Sequence, residues 1–183
     1  MSWTIDSAHT SVTFHVRHMM ISNVHGRFEK VDGMVNFDED NPAHSQVDVT
    51  IDAASISTRE GQRDAHLKSP DFLDVAQFPT ITFKSKRIEP VGENAGRIIG
   101  DLTIKDVTRE VVLETHYAGQ ARSPWGAISA GFTASAQISR KDWGLTWNVA
   151  LETGGWLVGD TIHIAIEVEI VRQAAPQEDM VMA

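Results

Sequence analysis

Eight histidines and no cysteine leave imidazole and carboxylate as the groups through which any proton or metal chemistry in this chain would run. The best-placed pair lies in Arg63-Asp64-Ala65-His66, where Asp64 could orient His66 as a general base. Arg, Asp and His this close at the start of a short helix more often make a local ion-pair and hydrogen-bond network, so catalysis is the minority reading. No nucleophile elbow or phosphate-cradling glycine loop accompanies them. His15 and His18 are an odd number of residues apart on one extended segment, so their side chains leave opposite faces and cannot share an ion without a bulge. There is no His-Glu-x-x-His motif and no helical i, i+4 histidine pair. No catalytic residue, metal ligand or cofactor is expected.

Strands must position whatever these residues do. From Ile128 to Ser139 the alternation does not slip: Ile128, Ala130, Phe132, Ala134, Ala136 and Ile138 face one way, and serines, threonine, glycine and glutamine face the other. The inward face is built largely from alanine, so a sheet curled around it encloses space unless neighbours fill the gap. The same period of two runs through Val12–His18, Val47–Ile51, Ile81–Ser85, Ile98–Ile104, Val111–Tyr117 and Ile162–Ile170. Between Phe28 and Val35 the phase changes, which places a bulge or break near Glu29 and Lys30. Seven or eight strands with turn residues between them indicate an all-β meander, closing as an eight-stranded antiparallel lipocalin-like β-barrel. Such a barrel holds side chains or one small ligand.

One segment breaks the pattern. Ser57-Thr58-Arg59-Glu60 has capping-box spacing, the following Gly61 to Lys68 lacks alternation, and a short helix is expected there until Ser69-Pro70 stops it. A second short turn is expected at Asp71-Phe72-Leu73, both elements capping the barrel. Trp125, Trp143, Trp147 and Trp156 fall in connecting segments, where they either wall a ligand or close the core at the barrel ends. Met19 and Met20 read either as a pliable apolar gate or as a loop packed on the rim.

Composition narrows the partners. A formal charge of -9, from 16 basic and 25 acidic residues, disfavours nucleic acid and anionic membranes as the main partner. No run of about 18 apolar residues occurs, so no membrane insertion is expected. The start, Met1-Ser2-Trp3-Thr4-Ile5-Asp6, has no basic and apolar leader, and the expected location is cytoplasmic. Residues 1–172 form one expected barrel domain, and 173–183 a tail with little to pack.

A set of short motifs then carries a resemblance. In order, they are Trp3-Thr4-Ile5-Asp6-x-x-His9-Thr10, Phe14-x-Val16-x-His18, Val24-x-Gly26-x-Phe28, Ser55-Ile56-x-Thr58, Arg63-Asp64-x-His66-Leu67, Asp71-Phe72-Leu73, Phe78-Pro79 and Phe83-x-Ser85. Gly100-x-Leu102-Thr103-Ile104, Arg140-Lys141-Asp142-Trp143-Gly144 and Val158-Gly159-Asp160 complete them. Taken together they resemble the YceI-like polyisoprenoid-binding proteins from Trp3 to about Val171. The resemblance implies a lipocalin-like barrel whose tunnel holds a long polyprenyl chain or a prenylated quinone-type lipid. It also implies that some members pair as dimers, which exposed β edges would allow here. Two positions depart from the pattern: Asp106 stands where many relatives have glycine, implying a different turn, and Leu73 where many have phenylalanine, implying an altered tunnel wall.

The expected function is therefore to bind and carry or store a long apolar lipid, a polyisoprenoid or prenylated quinone precursor, without catalysis. Expected inward residues are Phe14, Val16, His18, Phe28, Phe83, Phe132, Ala134 and Ala136, with Met19, Met20, Trp125, Trp143, Trp147 and Trp156 near the ends. The alternative is an enzyme acting on a lipid or apolar acid through His66 and Asp64.

Overall fold

The computed structural model describes residues 2–172; the expected tail at 173–183 lies outside the described residues. The strands are β1 (Ser2–Ile5), β2 (Ser11–His18), β3 (Ser22–Phe28), β4 (Val31–Asn36), β5 (Gln46–Asp52) and β6 (Ile56–Ser57). After the helix α1 (Gly61–Lys68) come β7 (Thr80–Val91), β8 (Ala95–Ile104), β9 (Val107–Arg122), β10 (Ile128–Ser139) and β11 (Val158–Arg172). Every pairing is antiparallel.

Six of these strands combine into three bent ones. β1 runs into β2 across a 3-10 turn at Ser7–His9, β3 into β4 across Glu29 and Lys30, and β5 into β6 across a turn at Ala53–Ser55. The result is a closed, eight-stranded antiparallel barrel in up-and-down order. It is shut where β11 pairs with β2 through Ile164↔Phe14 and with β1 through Ile5↔Ile170. The break expected near Glu29 and Lys30 is the corner between β3 and β4: β2 pairs with β3, whereas β1 pairs with β4. Bending each strand at its middle lets one sheet wrap through a full turn without a flat, strained ladder.

The helix spans Gly61–Lys68 as expected, but its cap differs from the expected box. Glu60, not Ser57, is its N-cap, and its carboxylate accepts from the Gln62 and Arg63 backbone N–H groups. A carboxylate there also answers the positive end of the helix dipole, so the glutamate of the supposed box does the capping itself. Ser69 ends the helix as expected, and the Asp71–Leu73 turn follows, with the Leu73 N–H donating to the Leu67 carbonyl. No helix among the described residues is long and apolar enough to cross a membrane.

Apolar side chains pack in two clusters. One, at the α1 end, joins Ile56, Leu73, Phe83, Ile104, Trp143 and Leu145; the other joins Trp3, Ile5, Val35, Ala130 and Ile170. Asp106 carries its turn without glycine: Lys105 and Asp106 both sit at positive φ, 52° and 63°, in the two-residue hairpin between β8 and β9. That is the left-handed region a primed hairpin turn requires and aspartate tolerates.

Candidate functional site

A cavity of about 710 Å³ runs inside the barrel from the α1 end to the opposite end, where the β7–β8 hairpin turns at Gly92. Its wall follows the alternation read from sequence. Val12, Phe14, Val16 and His18 of β2 line it, as do Val111, Leu113, Thr115 and Tyr117 of β9 and Ile162, Ile164, Ile166, Val168 and Ile170 of β11. The alanine strand divides. Phe132, Ala134 and Ala136 face the cavity, whereas Ala130 is 1% exposed and packed in the cluster with Trp3 and Ile170. The short side chains therefore leave space along only part of β10, between Thr115 of β9 and Ile166 of β11.

Of the expected binding residues, Phe14, Val16, His18, Phe28, Phe83, Phe132, Ala134, Ala136 and Trp147 line the cavity. Met19, Met20, Trp125, Trp143 and Trp156 do not. Trp125 is 90% exposed in the β9–β10 turn, and Trp156 is 56% exposed in the irregular segment before β11. Trp143 is 2% exposed and donates its indole N–H to the Leu102 carbonyl at 3.0 Å, so it closes the core. The Met19-Met20 turn, both residues at positive φ, packs outside the wall, with Met20 against Gly155.

Two glycines make room for phenylalanine rings. A Cβ on Gly26 would collide with the Phe14 ring paired opposite it, and one on Gly100 would lie 2.6 Å from Phe83 Cζ. Each ring thus occupies the place of a missing side chain, which keeps bulk out of the cavity centre. Aromatic groups gather at both ends. His66, Phe72 and Trp147 meet beside α1, with ring centroids 4.6 to 5.4 Å apart, and Phe37, Tyr117 and Phe132 meet at the other end at 5.2 to 5.8 Å. Phe37, Phe72 and Tyr117 are absent from the expected binding residues, although Tyr117 stands in phase on an alternating strand and Phe37 directly follows β4 in phase with Val31 and Val35; Phe72 comes from the turn after α1, where period two gives no direction.

Polar groups on the wall are few and mostly committed. Arg140, 2% exposed, donates to the carbonyls of Leu145 (2.5 Å), Gly159 (2.8 Å) and Trp147 (2.9 Å) and to that of Val158 at 3.4 Å. It pins the segment after β10 to the start of β11. Burial lowers its pKa while Asp160 opposes the shift. Arg63 donates to the Thr58 hydroxyl and carbonyl at 2.7 and 2.8 Å.

The structure separates the expected acid–base pair. Asp64 accepts from the Thr58 backbone N–H and hydroxyl, while His66 Nε2 lies 2.8 Å from Asp71. An α-helix explains this: residues two apart point about 200° apart around the axis, so Asp64 and His66 cannot face each other. What remains is a mostly apolar tunnel with polar groups near its ends, a shape that can hold one elongated apolar molecule.

The family model of the YceI-like domain matches residues 3–170. The chain is 38% identical over 168 residues to Protein YceI of Escherichia coli O17:K52:H18, covering 92% of this chain and 84% of that one. Its fold superposes on the YceI protein of Campylobacter jejuni with a TM-score of 0.73 at 32% identity, covering 86% of this chain and 90% of that chain. It superposes on a polyisoprenoid binding domain of Saccharophagus degradans, implicated in plant cell wall breakdown, with a TM-score of 0.65 at 13% identity. That match covers 92% of this chain and 97% of that one, and likens the folds alone.

Proposed function

The chain belongs to the YceI-like family, and from that premise we propose that it binds one long isoprenoid lipid, a polyprenyl chain or prenylated quinone precursor, and carries or stores it without catalysis. The observation that carries the reading is the continuous apolar tunnel of about 710 Å³, walled along β11 by five consecutive inward residues from Ile162 to Ile170. The polyisoprenoid binding described for the domain of shared fold supports the same ligand class.

Burial energetics alone suffice to bind an apolar chain tightly. Burying a CH₂ contributes about 0.8 kcal/mol, so a five-carbon isoprene unit contributes roughly 3 to 4 kcal/mol before ordering costs. Two or three well-buried units reach the ~8 kcal/mol of micromolar binding. Full burial of about eight units would sum to some 25 to 30 kcal/mol, beyond the practical ceiling of about 18 to 21, so chain ordering must consume much of it. Tight binding then needs no strong head-group contact. The enzyme reading keeps one observation, that His66 reaches the cavity wall, but its proposed partner Asp64 is turned to Thr58.

Organic extraction of the purified protein followed by mass spectrometry tests the proposal. A prenyl lipid in about equimolar amount is expected, and His66→Ala is expected to retain it. An empty protein that also takes up no prenol would overturn the reading, and conversion of an added lipid that disappears in His66→Ala would replace it with the enzyme. A cytoplasmic location is proposed with it, and cell fractionation tests that.

A further inference from the structure

The outer face of the barrel carries a row of histidines that lipid binding does not use. His15 of β2 stands directly opposite His25 of β3 on one side and His163 of β11 on the other. Its ring is stacked on that of His163, with centroids 4.5 Å apart and planes 5° from parallel, and lies 5.4 Å from that of His25. His25 is exposed, and His15 and His163 are half-buried. We propose that this row is a binding site for a late first-row divalent metal ion, Cu²⁺, Ni²⁺ or Zn²⁺, with His15 and His163 as the ligand pair and His25 as a third donor in reach of a ring flip.

The strand geometry brings the donors close. Residues directly opposite on antiparallel strands have Cβ atoms about 4.5 to 5.5 Å apart. Imidazole nitrogens bind zinc at about 2.0 to 2.1 Å, so two ligating nitrogens stand roughly 3 to 3.5 Å from each other. A shared ion therefore requires the two stacked rings to turn about their side-chain bonds until a nitrogen of each reaches that separation, on the outer side that their half-burial leaves open. Water completes the coordination.

The surroundings choose the metal. The side chains flanking the row on the same face are Thr13 and Arg17 on β2, Asn23 and Arg27 on β3, Thr161 and Ala165 on β11, and Gln137 opposite His163 on β10. None is a carboxylate, so Ca²⁺, Mg²⁺ and Mn²⁺ lack the oxygen ligands they prefer, while imidazole suits copper, nickel and zinc. Desolvation first, then the neighbouring His163 and His25, hold the His15 pKa below its ordinary value of 6.5. A metal at neutral pH therefore meets free lone pairs and displaces few protons. Arg17 and Arg27 limit the affinity, although Glu29 lies 3.2 Å from Arg27.

The row occupies a consequential stretch of wall. Directly next to it the β2–β11 ladder shifts register, between Val158 and Ile162, and Val16, Val24 and Ile162 on the reverse side line the cavity. A metal here ties β11 to β2 where the ladder is interrupted.

Calorimetric titration of tag-free protein with CuCl₂ and with ZnCl₂ at pH 7.5 tests the site, with CaCl₂ as a comparison. One Cu²⁺ or Zn²⁺ per chain is expected, weakened at least about tenfold in His15→Asn and in His163→Asn by loss of a ligand. His9→Ala addresses the other donor group, Asp6, His9 and Glu169, whose ligand atoms lie within 4.8 Å of one another; it is expected to leave the titration unchanged. Unaltered thermal unfolding of metal-free His15→Asn shows that the variant folds, and His25→Asn with His163→Asn supplies a second route should it not. Absence of Cu²⁺ binding at millimolar concentration, or binding abolished by His9→Ala and kept in His15→Asn, overturns the proposal. Prenyl lipid extraction is read separately, so failure of one leaves the other standing.

Discussion

Replacing Ala134 by tryptophan puts bulk where the tunnel reading requires emptiness. Ala134 faces the cavity between Thr115 and Ile166, both of which also line it. The indole adds about nine heavy atoms, and if each excludes one lipid carbon worth about 0.8 kcal/mol, the loss approaches ~7 kcal/mol. A flexible chain will slide away from part of the obstruction, so we expect at least ~3 kcal/mol, more than about a hundredfold in affinity, for a chain of about eight units. A three-unit prenol that fits to one side should lose less than about fivefold. Displacement of an apolar fluorescent dye by prenols of increasing length, with native mass spectrometry for stoichiometry, reads both numbers. Long-chain affinity equal to that of the parent protein, in a variant with native circular dichroism, would refute the inward placement of Ala134 and with it the tunnel.

The remaining predictions address the frame around that tunnel. Ala130→Val should lower stability by about 1 to 3 kcal/mol through overpacking against Trp3 and Ile170, yet leave lipid affinity unchanged; urea unfolding and dye displacement separate the two. Arg140→Met removes the donor shared by four backbone carbonyls and should cost about 3 kcal/mol or more, with faster proteolysis in the stretch from Leu145 to Val158. Trp143→Phe leaves the buried Leu102 carbonyl without its indole partner, and a loss of about 1 to 3 kcal/mol is expected in the urea midpoint. Because His15 holds its proton less tightly folded than unfolded, its stabilising effect is complete above pH 6.5 and is lost as pH falls through that value toward the lower folded pKa. His15→Asn should therefore flatten the fall in urea midpoint between about pH 7.5 and 5.5.

How far this was legible depends on what each signal measures. Period two reports which face a residue takes, and it placed Phe14, Ala134 and Ile164 on the cavity wall because strands offer only two faces. It gives Ala130 and Ala136 the same face without saying what packs on each; their difference comes from Trp3, which packs against Ala130 from a strand 127 residues away in the chain. Tryptophans in connecting segments had no period to direct them, and the structure sends Trp143 into the core, Trp147 to the cavity and Trp125 into solvent.

The histidines show the same limit from the chemical side. His15 and His18 are near neighbours in sequence, but alternation sends His18 inward and His15 outward. The partners of His15 are His25 across one hairpin and His163 at the far end of the chain, brought together only because the barrel closes between β2 and β11. Closure is a property of the whole sheet: no residue on β2 encodes which strand lies beside it. A donor set assembled across a closure seam is therefore invisible to spacing rules, which detect ligands that share one element. The cavity wall is legible in single strands, whereas the proposed metal row exists only after the ring has shut, and so it can respond to how firmly the ring is shut.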